Sequence, residues 1–335
     1  MSFRCALFLV AINLATMAAA TELEPEKIRA AVVKSLPLLE KGTTGHREQR
    51  ACFSCHNQGV PLLALTAAKE RGLAVNLEEF DRQLAFIHNF LKQNREKFLA
   101  GKGTGGEVDT AGYALLALAA GAWKPDDTTA AVVEYLLLFQ RDADHWKNSS
   151  HRPPTETSEF TTTYWGYQAL QHYGLPEHQE RIAARKEKIV AWIASAKPQD
   201  TEDRVFQLRL LAALEHPAEE ITAASRALGE LQRDDGGWSQ LAEQESDAYA
   251  TGTVLVALHQ AGGLATSDPA YQRGLEFLLE QQQDDGSWHV VSRSKPFQKY
   301  FETGFPHGKD QFISAAASAW ATLALTLALE KAEGR

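Results

Sequence analysis

Apolar residues recur along this chain at spacings of three and four, and alternation with a period of two is nearly absent. Ala, Leu, Glu and Gln outnumber Val and Ile, so the pattern predicts helices throughout and an all-α fold. Helices are expected near residues 24–40, 60–71, 77–98, 108–121, 127–141, 160–173, 177–195, 203–214, 218–232, 247–261, 269–283 and 312–331, separated by Gly-, Pro- and Asp-rich turns, which makes six hairpins. Two stretches, 111–123 and 312–329, are apolar all round, as helices enclosed by other helices should be. The second carries no charge and is long enough to cross a bilayer. It reads as a buried helix instead, because Ala, Ser and Thr dominate it and comparable apolar helices recur elsewhere, so no membrane span is expected in the mature chain.

The turns carry a repeat. Leu228 to Trp238 ends in Gln232-Arg-Asp-Asp-Gly236-Gly-Trp238, and Leu278 to Trp288 ends in Gln282-Gln-Asp-Asp-Gly286-Ser-Trp288, at an offset of 50 residues. A degenerate third copy, Gln140 to Trp146, has Asp144 in place of the glycine. Each copy closes one helix and precedes another, so Gly should supply a left-handed stop, Asp a local cap, and Trp a lid over the turn. A hairpin of this kind needs neighbours to cover its apolar faces, as in stacked repeat architectures.

Arg273-Gly-x-x-Phe277-Leu-Leu-x-x-x-Gln283-x-x-Gly286-x-Trp288 resembles the Gln-Trp repeat of squalene-hopene cyclases, and Ser318-Ala-Trp-Ala-Thr-Leu-Ala-Leu325 is similar to their closing inner helix. The resemblance implies an α/α toroid, shared with terpenoid cyclases and protein prenyltransferases, in which inner and outer helices surround a central cavity. It covers residues 107–331 by motif and 24–100 by helix count alone. The family's chemistry does not follow. Cyclases protonate their substrate with the middle acid of Asp-x-Asp-Asp, and the matching segment here is Asp247-Ala-Tyr249-Ala, which keeps only the first acid. The prenyltransferase zinc site needs Asp-x-Cys, and no Cys lies beyond residue 55. Asp247 is then either a helix N-cap or a buried acid facing the cavity.

Composition adds the chemistry. With 44% hydrophobic and 23% charged residues the chain has material for a large core, and a net charge of −9 without a basic cluster argues against nucleic acid as a partner. Residues 1–20 have the basic start, short apolar stretch and Ala18-Ala19-Ala20 small-residue end of a secretory signal peptide, with cleavage expected before Thr21 and a periplasmic or otherwise exported mature protein. Removal leaves Cys52 and Cys55 as the remaining cysteines and no methionine.

Those two cysteines belong to Cys52-Phe-Ser-Cys55-His56, which in an exported chain is the attachment signature of one covalent haem c, with both thiols bound to the porphyrin and His56 on the iron. A thiol redox pair or disulfide and half of a zinc site are the rival readings of the same motif. Without methionine the distal ligand is another donor or absent, and His46, His88 and His307 are the histidines weighed for it. The expected organisation is a signal peptide over 1–20, a helical segment with the haem motif over 21–106, and toroid repeats over 107–335. The leading expectation is an exported haem protein with a redox partner. The alternative is an enzyme or binding protein for an isoprenoid or other small hydrophobic molecule in the cavity, with Asp247, Tyr249 and His307 as polar candidates. The long insertion from Trp288 to Asp310 is either a binding loop or a lid over the last hairpin, and Gly101–Gly106 reads as a flexible linker rather than a phosphate loop.

Overall fold

The computed structural model describes residues 23–296 and 299–332, so the expected leader, with Cys5, lies outside the described residues. Thirteen α-helices account for nearly all regular structure there, and no β-strand occurs among the described residues. In chain order they are α1 (Pro25–Gln49), α2 (Val60–Glu70), α3 (Leu77–Gln93), α4 (Arg95–Leu99), α5 (Glu107–Ala120), α6 (Asp127–Leu138), α7 (Glu159–Tyr173), α8 (Gln179–Ile193), α9 (Thr201–Ala213), α10 (Ala218–Gly229), α11 (Ala248–Gln260), α12 (Pro269–Gln281) and α13 (Gln311–Leu327).

Helices α2, α5, α7, α9, α11 and α13 pack side by side in that order, and α13 returns to α2, which closes an inner ring. Around it α1, α3, α6, α8, α10 and α12 form the outer layer, giving an α/α toroid of six hairpins. The two layers differ as their sequences predict. Residues 248–258 of α11 and 314–326 of α13 are buried without interruption, whereas α10 buries Leu228 alone. An inner helix has protein on every side and needs apolar or small residues all round, while an outer helix needs one apolar stripe. Accordingly α13 is a ring member, and no helix among the described residues is long and apolar enough to cross a membrane.

The repeat turns are built alike. Gly236 and Gly286 take φ of 83° and 91°, in the left-handed region, and the indole nitrogens of Trp238 and Trp288 donate to the carbonyls of Leu228 and Leu278 at 3.0 and 2.7 Å. The backbone N–H of each tryptophan donates to a hydroxyl of the following inner helix, Thr251 for Trp238 and Ser318 for Trp288, at 2.9 and 3.0 Å. In the third copy Trp146 makes the equivalent backbone bond to Thr163 at 3.3 Å, but the positive φ falls at Gln140 and not at Asp144.

Three local expectations need correction. Helix α1 runs to Gln49 rather than ending near 40, and Gly42 and Gly45 lie within it as packing sites: a Cβ on Gly45 would lie 1.8 Å from the Thr303 carbonyl oxygen. The predicted helix over 77–98 breaks at Asn94 into α3 and α4. Gly101–Gly106 is a packed turn, not a loose linker; Gly103, at φ 61°, lies against the Tyr135 ring with no room for a side chain.

Candidate functional site

At one end of the ring, where the inner helices begin, lies a cavity of about 320 Å³. Val60, Phe312, Ile313, Ala316 and Trp320 form apolar walls, and the hydroxyl-bearing rings of Tyr113 and Tyr249 come from α5 and α11. Residues from two connections complete it: Arg152 to Glu156, before α7, and Ser292, Ser294, Lys295, Pro296 and Tyr300 of the strap that precedes α13. Cys55 and His56 line the same cavity. They stand on a wide helical turn, Cys55–Gly59, that leads into α2 and is capped by Ser54, whose Oγ accepts from the Asn57 N–H at 3.2 Å.

The imidazole of His56 meets the Phe312 ring edge-on at 5.3 Å and makes no hydrogen bond among the described residues. Loss of solvent, with smaller effects from His46 and Arg152, pushes its pKa down to about 3, so it is a neutral ring with nitrogen lone-pair capacity. Burial raises the Cys55 thiol well above its usual range, reinforced by the charges of Glu156 and Asp109. A protonated thiol is a poor nucleophile, which weighs against a thiol redox pair. Cys52 is exposed and does not line the cavity.

The other sequence candidates lie elsewhere. His46, behind the motif, is buried with Nε2 bonded to the Cys52 carbonyl at 2.9 Å and Nδ1 receiving the Asn57 amide at 3.4 Å. His88 stacks on Trp123 at 4.5 Å and bonds Asp126 at 2.8 Å on the outer layer. His307 bonds the Ser287 hydroxyl at 2.8 Å and stacks on His289 at 4.5 Å. None of the three lines the cavity with His56. Asp247 caps α11: Oδ1 accepts from the Ala250 N–H and Oδ2 from the Gln240 amide, both at 2.9 Å. Of the polar trio considered for chemistry, Tyr249 alone reaches the cavity.

Reading the sequence missed three contributors. The Arg152–Glu156 segment forms an ion pair within the wall, Glu202 lies directly behind Tyr249, and Tyr113 faces the same space. The twenty-residue non-helical connection between α6 and α7, with Pro153-Pro154, was the available signal for the first. Buried Glu202 had no local signal. The insertion expected as either lid or binding loop packs on the first helix through Phe305 on Gly42 and Phe301 on His46, and its Ser292, Ser294 and Lys295 line the cavity.

No protein-family model matches the chain. A squalene–hopene cyclase of Bradyrhizobium diazoefficiens is 31% identical over 121 residues, covering 31% of this chain and 17% of that enzyme, so the chain matches less than a fifth of its curated relative. Among solved structures, the type II terpene cyclase MstE from Scytonema superposes with a TM-score of 0.55 at 15% identity, over 92% of this chain and 99% of that one. A variant of the same cyclase, described in complex with its substrate geranylgeranyl dihydroxybenzoate, gives 0.53 at 13% identity over 91% and 99%. A protein from Salmonella enterica described as a possible member of the GH105 family gives 0.57 at 12% identity over 96% and 99%. At these identities the likeness establishes a terpene-cyclase-like α/α toroid and leaves the chemistry to the site.

Proposed function

We propose that this chain holds a hydrophobic molecule of isoprenoid type in the central cavity of its toroid. The observation that carries this is the cavity itself: apolar walls from Val60, Phe312, Ile313, Ala316 and Trp320, with Lys295, Lys309 and the Arg152–Glu156 ion pair around them. A site of this size and lining suits an apolar body with a polar or anionic end. The cyclase relative and the substrate-bound terpene cyclase structure support the ligand class. Cyclisation started by an acid of the Asp-x-Asp-Asp kind is not part of the proposal, since Asp247 caps α11 with one oxygen and holds the Gln240 amide with the other, and Tyr249 stands where the middle acid would be.

The test is to produce the full chain with its leader, extract the purified protein with organic solvent and identify what co-purifies. Ile313→Trp, at a partly exposed position on the cavity wall, should deplete the extracted molecule while leaving the helical circular dichroism unchanged. Equal recovery from both proteins would sink the reading.

A second reading is favoured by one specific observation, that Cys55 and the neutral, unbonded imidazole of His56 face this cavity side by side. We propose on that basis that Cys52 and Cys55 attach a haem c with His56 as its iron ligand, in a protein exported by residues 1–20 and serving a redox partner. The fit is chemical: a neutral ring nitrogen is the form that ligates iron, the apolar wall suits a porphyrin face, and Lys295 and Lys309 suit its carboxylates. Haem in that place would supply one-electron redox chemistry. The chain's own residues then exclude water from one face and hold His56 against Phe312. Intact mass and a pyridine haemochrome spectrum after export from a host with haem-attachment machinery decide it; an unmodified mass without a Soret band removes this reading and leaves the first untouched.

A further inference from the structure

Neither reading uses the depth of the cavity. We infer that it is a blind well for a short isoprenoid of two to three isoprene units, about 10–15 carbons, entered tail first, and that the Trp320 indole is the floor that sets this length. The inference rests on the proposal that the cavity takes an isoprenoid.

Helix α13 gives the well its depth. Its cavity-lining residues, Phe312, Ile313, Ala316 and Trp320, follow the spacing of one helix face and run inward from the mouth. Exposure falls along that row: Lys309, just before the helix, is exposed, Phe312 and Ile313 are half-buried, and Ala316 and Trp320 are 4% and 1% exposed. Trp320 therefore lies deepest. Eight residue steps lead to it from Phe312, about 12 Å at 1.5 Å of rise per residue. An extended isoprene unit has four chain bonds and spans about 5 Å, on the scale of roughly 3.3–3.6 Å for the three chain bonds of an extended residue. The well thus takes two units fully and part of a third, and its volume of about 320 Å³ lies near the small end of the range for ligand sites.

The floor is closed from below by packing. The Trp320 ring lies 6.5 Å from that of Trp165, which Tyr113, the lining residue of α5, meets at 4.2 Å. The guanidinium of Arg209, on α9, sits 5.7 Å from the Trp320 ring and donates to the Tyr164 hydroxyl at 3.0 Å, with the rings of Trp165 and Phe206 each 5.8 Å away. Behind Trp320 there is thus a buried cation in an aromatic collar, and a chain end enters that space only by displacing packed rings. On the α11 side a Cβ on Gly252 would lie 2.8 Å from the Trp320 backbone carbon, so α11 holds this turn of α13 in place. The opposite end is polar, since Lys295 and Lys309 line the cavity and are exposed. A ligand's polar end keeps its water there while the tail is buried; the reverse orientation would set that end against Ala316 and Trp320 and strip its hydrogen bonds.

The experiment measures the affinities of prenol, geraniol, farnesol and geranylgeraniol, alcohols of one to four isoprene units, for the purified full chain by equilibrium dialysis below each alcohol's solubility limit. Each unit that enters the well leaves water, so affinity should climb about tenfold or more from prenol to geraniol, rise again to farnesol, and change less than about twofold from farnesol to geranylgeraniol. Ala316→Phe, one turn above the floor, should end the climb at geraniol. Trp320→Leu, which lowers the floor and keeps it apolar, should carry the climb on to geranylgeraniol. A wild type whose affinity goes on climbing from farnesol to geranylgeraniol overturns the inference and leaves the cavity proposal standing, as does the wild-type profile in either variant with its helical circular dichroism intact. A wild type that binds none of the four alcohols overturns both.

Discussion

The side-chain amide of Gln282 donates to the backbone carbonyl of Ala31 at 2.9 Å, across 251 residues of sequence. One repeat earlier Gln232 donates to the carbonyl of Ala270 at 2.7 Å, so the first helix of the chain receives the last repeat turn as α12 receives the turn before it. Gly286 follows the same rule, with a Cβ there falling 2.4 Å from the Lys34 carbonyl oxygen as one on Gly236 would fall 2.6 Å from that of Arg273. The ring therefore closes through the contact that joins its interior repeats.

Breaking that closure should be costly in proportion to the groups left unpaired. Gln282→Ala removes the bonds to Ala31 and Gly286 and is expected to lower unfolding stability by about 1–3 kcal/mol in urea titration. Stability equal to wild type would mean that the ring is held shut elsewhere.

The repeat tryptophans should differ in sensitivity. Trp288→Phe strips the Leu278 carbonyl of its indole donor, whereas the Trp146 indole nitrogen is buried without a partner, so Trp146→Phe loses no such bond. The first should cost about 1 kcal/mol more than the second by chemical denaturation. Equal costs would contradict the assignment.

Gly45→Ala places a methyl where the Thr303 carbonyl oxygen stands, a backbone atom that cannot turn aside. The strap should lift from α1, with faster amide exchange in residues 299–310 and a loss of roughly 2 kcal/mol or more. Exchange unchanged in that segment would show that the helix, not the strap, yields.

Stability should also report Glu202. Its folded pKa is raised from the ordinary 4.5 to about 8, so the folded chain binds the proton more tightly than the unfolded one. Its contribution is fully present below pH 4.5 and is lost as pH rises through about 8, a fall of a few kcal/mol. Glu202→Gln should flatten that part of the pH–stability curve; a curve that keeps its slope in the variant assigns it to other groups.

Much of the fold could be read in advance because its causes are local. Residues 312–329, apolar all round and rich in Ala, Ser and Thr, read as an enclosed helix, and Asp-Asp-Gly-x-Trp at a fixed offset repeats one turn with one set of backbone angles. Cys52, Cys55 and His56 were equally legible, being adjacent in sequence. Their setting was not. Nothing near residue 55 foretells that α13, the strap and the segment at 152–156 meet there, since each lies about a hundred residues or more away.

Covalent order and helical period thus account for the all-α class, the hairpin count, the repeat turns and the cysteine–histidine motif. Ring closure supplies the rest: that Tyr249 faces a cavity while Asp247 caps a helix, that His88 and His307 stand apart from His56, and that burial raises the Glu202 carboxyl above its ordinary range. Those properties depend on which distant groups exclude water from a side chain, and exclusion of water is a property of packed neighbours, not of sequence position.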